Sequence, residues 1–505
     1  MNKLTAPSLS NQAIHFRLAS SPEYSQSSFA GIVSLSLAAV LFLAGFDWAQ
    51  GGVKPVWMTA AAAYLLFGLL QLGVKSLIRR DLLDQGEIRA TTRRLGWVLL
   101  LSLLSANLFA ATAAYQLIKR HKSPAYILAG YTLLVTVFVF AVSSLNMFKP
   151  YVADTFLAGM GLLLLAAAVQ LVSLMLIARY SDARILPLWM WGVAVALLAT
   201  AATGNLFALF LAVLLVSRLR DKGHTSGSKL SDIVAKLSRS STSMLGLFFV
   251  GFLLSLAVCS YLTFDYGMAI ENNYSNILHA PSLMYPLGTD NFGRDLFSRI
   301  VFGARISLSV GLLSTLIPFV AGGILGAVSG YYGRSTDNLI MRALDILYAI
   351  PGILLAIAII AAFGASTGNL ILALSVGAIP TYARTMRANV LMVSTLEYVQ
   401  AARAFGSGDL AILFKHIIPN SMAPMIVKGT LTIGTAVIST SSLSFLGLGV
   451  EPHIPEWGNI LKVGSAYLET HSFTAIYPGL AIIALVLSFN FLGDGLRDAL
   501  DPKLD

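Results

Sequence analysis

Charge is what this sequence has least of. Only 11% of its 505 residues are Asp, Glu, Lys or Arg, against 56% apolar, whereas a soluble domain is about a quarter charged. Mean hydropathy is +0.76. That shortage excludes a soluble globular chain and leaves a bilayer as the solvent for most of it. Cysteine is nearly absent: Cys259 stands alone, which excludes an internal disulfide and reads as a small buried hydrophobe. No Gly-x-x-x-x-Gly-Lys-Ser/Thr stretch occurs, so the chain lacks the backbone cradle and lysine that hold nucleotide phosphates. Ser, His and Asp are too scattered for a hydrolase, and no His/Cys grouping marks a metal site. Catalytic residues, metal ligands and a bound cofactor are therefore all expected to be absent. The net charge of +10 is not read as nucleic-acid binding, because the basic residues fall mostly in short loops between apolar runs, as the positive-inside rule requires.

Apolar segments lie near 29–47, 56–74, 95–118, 125–146, 153–178 and 187–216, then near 244–264, 305–331, 346–364, 370–391, 425–447 and 473–493. A helical span needs roughly 20 apolar residues, and an open sheet edge cannot be satisfied in lipid. The reading is an all-α polytopic membrane protein of about twelve helices in two groups of six. The first run lacks a small-residue cleavage site and is expected to be retained. The stretch "SRLRDKGHTSGSKLSDIVAKLSRSSTS" (217–243) is polar, basic and serine-rich, so it is the expected boundary between 1–216 and 244–505. Few contacts should cross it, and a chain beginning near Ser217 is expected to insert and function.

Charge predicts orientation. The linker, the loop 75–94 (Lys75, Arg79, Arg80, Arg89, Arg93, Arg94), the loop 332–345, the segment 392–424 and both termini fall on the cytoplasmic side, with "KRHK" (119–122), Arg294, Arg299 and Arg305 counting against. The halves are not repeats of each other. Ionisable residues within spans are nearly absent: Lys428 is placed near a cytoplasmic end, where it can snorkel, and Asp345 and Arg342 also lie at an end. A twelve-helix proton-coupled carrier, the alternative, would need such groups inside.

The stretch "EYVQAARAFGSGDLAILFKHIIPNSMAP" (397–424) is neither a span nor disordered. Ala401, Ala402 and Ala404 favour helix, Gly406-Ser407-Gly408 break it, Asp409 is placed to cap a second helix, and Pro419 is read as its stop. The spacing predicts a small helical hairpin at the membrane face, low enough on one side for another protein's groove to close on it.

This hairpin resembles the EAA loop of bacterial ABC importer permeases, in which a Glu-Ala-Ala triplet precedes a glycine and, further on, a proline. Gln400 replaces the glutamate of the triplet, with Glu397 one turn earlier. Four further stretches, "YPLGTDNFGRDLFSRIVFGARISLSVG" (285–311), "GYYGRSTDNLIMRALDILYAIPGILLAI" (330–357), "SSLSFLGLGVEPHIPEWGNIL" (441–461) and "FNFLGDGLRDALDPKL" (489–504), resemble in order and spacing the second permease subunit of oligopeptide, dipeptide and nickel importers. Tyr285 stands where that group usually has His, and Thr440 where Glu is often found. The resemblance covers 244–505; residues 1–216 resemble nothing comparable.

The resemblance implies an inner-membrane, multi-pass permease forming half of a translocation pathway for peptides, or alternatively for nickel or another small solute. It implies a second permease subunit, two cytoplasmic ATPase subunits carrying ATP and Mg, and an extracytoplasmic substrate-binding protein. ATPase coupling would fall to Glu397, Gln400, Ala401, Ala402, Gly406, Lys415, His416 and Pro419. Asp290, Arg294 and Asp295, in what reads as a capped turn, and Trp457 and Asn459 are expected to line the outer mouth where the receptor docks. Trp457 suits an interface anchor and an interfacial belt equally well. "GGILGAVSG" (322–330) and "GTLTIGTAV" (429–437) predict close helix packing.

Overall fold

The computed structural model describes residues 18, 21–47, 52–120, 122–180, 185–220 and 229–501. Lys3, Arg17, His121 and the stretch 221–228 of the expected linker lie outside the described residues. Twenty α-helices with defined bounds follow in order among the described residues: α1 Pro22–Ala44, α2 Pro55–Asp84, α3 Ala90–Leu99, α4 Leu108–Ile118, α5 Pro124–Ser144, α6 Phe156–Tyr180, α7 Met190–Thr200, α8 Leu206–Arg220, α9 Lys229–Arg239, α10 Ser241–Thr263, α11 Gly267–Ile270, α12 Leu296–Tyr332, α13 Arg334–Tyr348, α14 Gly352–Phe363, α15 Thr367–Val393, α16 Glu397–Ala404, α17 Asp409–Ile412, α18 Ile418–Leu446, α19 Trp457–Ser465 and α20 Phe473–Leu500. Strand structure among the described residues is one two-residue ladder, Phe46–Asp47 against Gly52–Val53, in the turn between α1 and α2.

All twelve apolar segments appear as helices or helix pairs, but not all as plain spans. Eight helices among the described residues are long and apolar enough to cross a membrane; a ninth is a pair, α13 with α14, bent by 80°. Residues 334–345, expected as loop, belong to α13. The segments 95–118 and 187–216 are each broken. In the first, a 3-10 turn (Leu100–Ser105) leads to Ala106 at φ +54°. In the second, a 3-10 turn (Ala201–Thr203) leads to Gly204 at φ +77°.

The chain divides into two compact units, and not at 217–243. The described residues up to Gly130, with Arg179 and Tyr180, form one; Tyr131–Ala178 and the described residues from 185 onward form the other. In the first unit, α1 packs along α2 and α4 over a core of Val74, Ile78, Ile88, Leu99, Ala114 and Leu117. In the second, residues from before the linker bind directly to α10, beyond it. Asn146 Nδ2 donates to Thr263 O at 2.8 Å, Thr155 Oγ1 to Leu262 O at 2.9 Å, and Ser255 Oγ to Thr203 O at 2.8 Å. The polar composition of 217–243 does not show what the helices on either side pack against, and part of the stretch is itself packed: Leu219, Val234, Leu237, Ser238 and Ser243 are buried.

The first 220 residues carry one pattern twice. "SPEY" (21–24) and "SPAY" (123–126) open α1 and α5, each with the serine hydroxyl accepting from the tyrosine N–H three residues on. Gln71 and Gln170, seven residues before Ile78 and Ile177, are all buried in α2 and α6. "ANLFA" (106–110) and "GNLFA" (204–208) follow the two breaks. There Asn107 and Asn205 cap the second half-helix by accepting from Ala110 N and Ala208 N. Each asparagine also donates to the first helix of its own copy, Asn107 to Ser34 Oγ and Asn205 to Thr132 O and Thr136 Oγ1.

In the remainder, α12 lies flush on α15. A methyl group at Gly322 would be 2.7 Å from Ile379 O and one at Gly330 2.9 Å from Arg387 O, while one at Gly326 would meet Ala383 O. Glycine every fourth residue lets the two backbones approach. The helices α18, α19 and α20 complete the bundle with α10, around Val250, Leu253, Leu308, Val437, Leu485 and Phe489.

Candidate functional site

The 397–420 stretch folds as a hairpin at one end of α12. After α16 the chain turns at Gly406, φ +78°, a left-handed conformation that costs a residue with a Cβ roughly 1–2 kcal/mol. Nothing lies within 4 Å of where that Cβ would be, so backbone conformation, not crowding within the chain, demands the glycine. Asp409 does not cap the second arm: Gly408 holds the N-cap position without a side-chain bond. Asp409 instead accepts from Tyr331 OH at 2.6 Å, tying the hairpin to the end of α12. Pro419 does not stop the helix either. A π-turn, Leu413–Ile417, leads into α18 with Pro419 in its first turn, so the helix runs on past the proline.

The hairpin has two faces. Val399, Ile412, Leu413 and Ile417 are buried against Tyr382, Met386, Val390, Val393 and Met425. Outward, Phe405 is 90% exposed, Leu410 65% and Phe414 56%. Of the residues singled out from sequence, Glu397, Gln400, Ala401, Gly406, Lys415 and Pro419 are exposed, and Ala402 and His416 half-buried. The structure brings them to one surface but puts Phe405 at its most prominent point. No local signal marks Phe405 as bare, because an aromatic next to a glycine break is as compatible with a core as with a surface.

The other end of α12 is about 55 Å away along its 37 residues. The residues expected to line an outer mouth are buried there: Asp290, Arg294, Asp295, Trp457 and Asn459 are each 5% exposed or less. They hold the turn shut. Asp290 accepts from Phe292 N, Arg294 N and Arg294 Nε at 2.9, 3.0 and 2.8 Å, and Arg299 Nε lies 3.6 Å from it. Asp295 caps α12 through Phe297 N and Ser298 N and pairs with Lys149. Trp457 packs on Gly303 and donates to Ile300 O at 2.9 Å. Asn459 donates to Glu451 O at 3.0 Å. Beside it Glu456 caps α19 by accepting from Gly458 N and Asn459 N; burial pushes its carboxyl above the ordinary value, against the pull of those two N–H groups. The exposed surface at this end is elsewhere, in 271–284 with Tyr274, Ile277 and Leu283, and in 451–453.

Between the ends, α12, α14, α15 and α18 enclose a cleft of about 200 Å³ lined by Ser314, Gly352, Gly377, Thr432, Thr435 and Ser439 among others. No group of three or more His, Cys, Asp or Glu able to hold a metal occurs among the described residues.

The family described as "Binding-protein-dependent transport system inner membrane component" matches residues 322–505. The dipeptide transport system permease protein DppC of Alkalihalophilus pseudofirmus is 41% identical over 281 residues, 56% of this chain and 92% of that protein. The glutathione transport system permease protein GsiD of Pectobacterium atrosepticum is 44% identical over 256 residues, 51% of this chain and 85% of that protein. A chain of the MetNI methionine ABC transporter in an inward-facing conformation aligns with 40% of this chain and 97% of its own length, at 21% identity and a TM-score of 0.34. The share of these permeases that this chain spans, at such identity, places it: the chain belongs to the family of binding-protein-dependent transport system inner membrane components, and it is a permease subunit of an ABC importer.

Proposed function

We propose that this subunit forms half of a translocation pathway for di- or oligopeptides and that the hairpin 397–420 couples it to a cytoplasmic ATPase. The hairpin carries the reading: an apolar knob, Phe405, projects from a turn whose underside is anchored in the bundle and whose arm is bonded to α12 through Tyr331 and Asp409. A rigid base with a desolvatable aromatic tip is what an interface hot spot requires. Glu397, Gln400, Ala401, Ala402, Lys415 and His416 would surround the contact, and Gly406 and Pro419 would shape it. The dipeptide and glutathione permeases among the relatives favour a peptide over nickel or another small solute.

The partners are then a second permease, two ATPase subunits that bind ATP and Mg, and a substrate-binding protein on the far side of the membrane. That receptor would meet the exposed segments 271–284 and 451–453. The hairpin face would be cytoplasmic, with both chain termini on that side. The test is Phe405→Asp in the assembled transporter. Since Phe405 makes little of the fold, the variant should insert and purify normally, lose co-purifying ATPase and lose peptide uptake. Uptake and ATPase retention at wild-type level would sink the coupling role.

A further inference from the structure

Lys428 was expected near a cytoplasmic end, and it stands eight residues past Asn420, where the hairpin ends. It lies in the first half of α18, and its side chain reaches across to α15. Nζ donates to Thr381 O and to Thr385 Oγ1, both at 2.7 Å, and lies 5.4 Å from the Tyr382 ring centroid. These partners are neutral, and no ion pair of Lys428 occurs among the described residues. Both carboxylates of α13, Asp337 and Asp345, are taken by Arg387 and Arg384 of α15. An ammonium has three N–H donors; two are used and one is not. A half-buried charge within a span, with no counter-ion, is costly to keep.

The lysine lies one helical turn beyond the cleft on both helices that hold it. Thr432, four residues on in α18, lines the cleft, as does Ala378, three residues before Thr381 in α15. Three of the cleft's hydroxyls have their protons committed: Thr432 Oγ1 donates to Lys428 O and Thr435 Oγ1 to Thr432 O, both at 2.8 Å, and Ser314 Oγ to Gly311 O. Their lone pairs are what remains for a solute. The cleft thus offers hydrogen-bond acceptors along its wall and one cation past its end.

We propose that Lys428 is a solute-binding residue that receives the carboxylate of a small zwitterion entering from the cleft, whose nearest N–H groups face Thr432. The site deepens the peptide reading above by assigning the end of the peptide that bears the free carboxylate. An ammonium–carboxylate bond is charge-assisted, and Arg can replace Lys in it while Met, of similar length, cannot.

The test has two arms on the full chain. In cells carrying the assembled transporter, uptake of labelled alanyl-alanine and of alanyl-alanine amide is measured at concentrations saturating for each. Lys428→Met should cut the maximal rate for the free acid about tenfold relative to the amide, leaving the receptor-governed half-saturation concentration unchanged, and Lys428→Arg should restore most of it. Equal loss for acid and amide, or no loss for either, overturns the proposal while leaving the peptide reading intact. If the wild-type complex takes up no alanyl-alanine, the peptide reading fails, and the second arm decides the site. In the purified chain with ¹³C-methylated lysines, the Lys428 resonance, assigned with Lys428→Arg, should shift on adding acetate and not acetamide. No shift with acetate overturns the carboxylate site.

Discussion

Lys149 and Asp295 meet as a buried ion pair, Nζ to Oδ2 at 2.6 Å, with 3% and 0% of their side chains exposed. Lys149 also donates to Ser298 Oγ at 2.7 Å and lies over the rings of Phe264 and Phe297. One partner precedes the family-like region; the other caps its longest helix. Removing one member of such a pair leaves an uncompensated buried charge, typically a loss of 3–5 kcal/mol. Lys149→Met should therefore lower the melting temperature of the purified chain sharply, and the double variant Lys149→Met/Asp295→Asn should recover much of it. A chain beginning near Ser217 should suffer at least the loss of the single variant and also lose the ties to α10. If that truncated chain melts like the full one, the pair has no structural weight.

The glycine at 406 separates two causes of failure. Gly406→Asn, which tolerates the left-handed region, should keep fold and coupling. Gly406→Ala should cost roughly 1–2 kcal/mol locally with partial coupling, and Gly406→Leu, adding bulk beside Phe405, should abolish ATPase co-purification. An Asn variant as inactive as the Leu variant would show that contact, not backbone conformation, demands glycine.

Glu456 should make stability depend on pH in a defined direction. Its folded carboxyl is raised above 4.5, so the folded chain holds that proton more tightly than the unfolded chain. The contribution is complete below 4.5 and is lost as pH rises through the raised value. The wild type should therefore lose more thermal stability over that rise than Glu456→Gln does. Glu456→Ala, without the cap, should lose about 0.5–2 kcal/mol. Parallel pH profiles for wild type and Gln variant would count against an elevated carboxyl.

The duplicated asparagines make a paired prediction. Asn107→Ala and Asn205→Ala each remove a cap and a tie to the first helix of the same copy. Each should cost about 1–3 kcal/mol, a cap plus a buried hydrogen bond. Asn→Asp keeps a capping oxygen but buries a carboxylate, so it should cost at least as much as Asn→Ala. Thermal melts of the four variants check this, and a cost at only one position would break the equivalence of the copies.

The duplication was legible in the letters: "SPEY" and "SPAY", "ANLFA" and "GNLFA". The hairpin was legible as well, since its glycine break and alanine run are local. Asp409 and Pro419 were misjudged because each has a role set by a neighbour outside the local pattern, Tyr331 of α12 for one and the π-turn for the other.

By itself the sequence determined that the chain is helical and membrane-embedded, where its helices run, and that a hairpin interrupts the later ones. These follow from hydropathy and turn chemistry, which act over a few residues. Only the tertiary structure decided that Asp290, Asp295 and Trp457 are buried while Phe405 is bare, that Lys149 reaches across the expected boundary, and that Lys428 bonds to Thr381 and Thr385 of α15. Burial and charge pairing are set by groups tens to more than a hundred residues away, and no local pattern encodes which side of a helix they will cover.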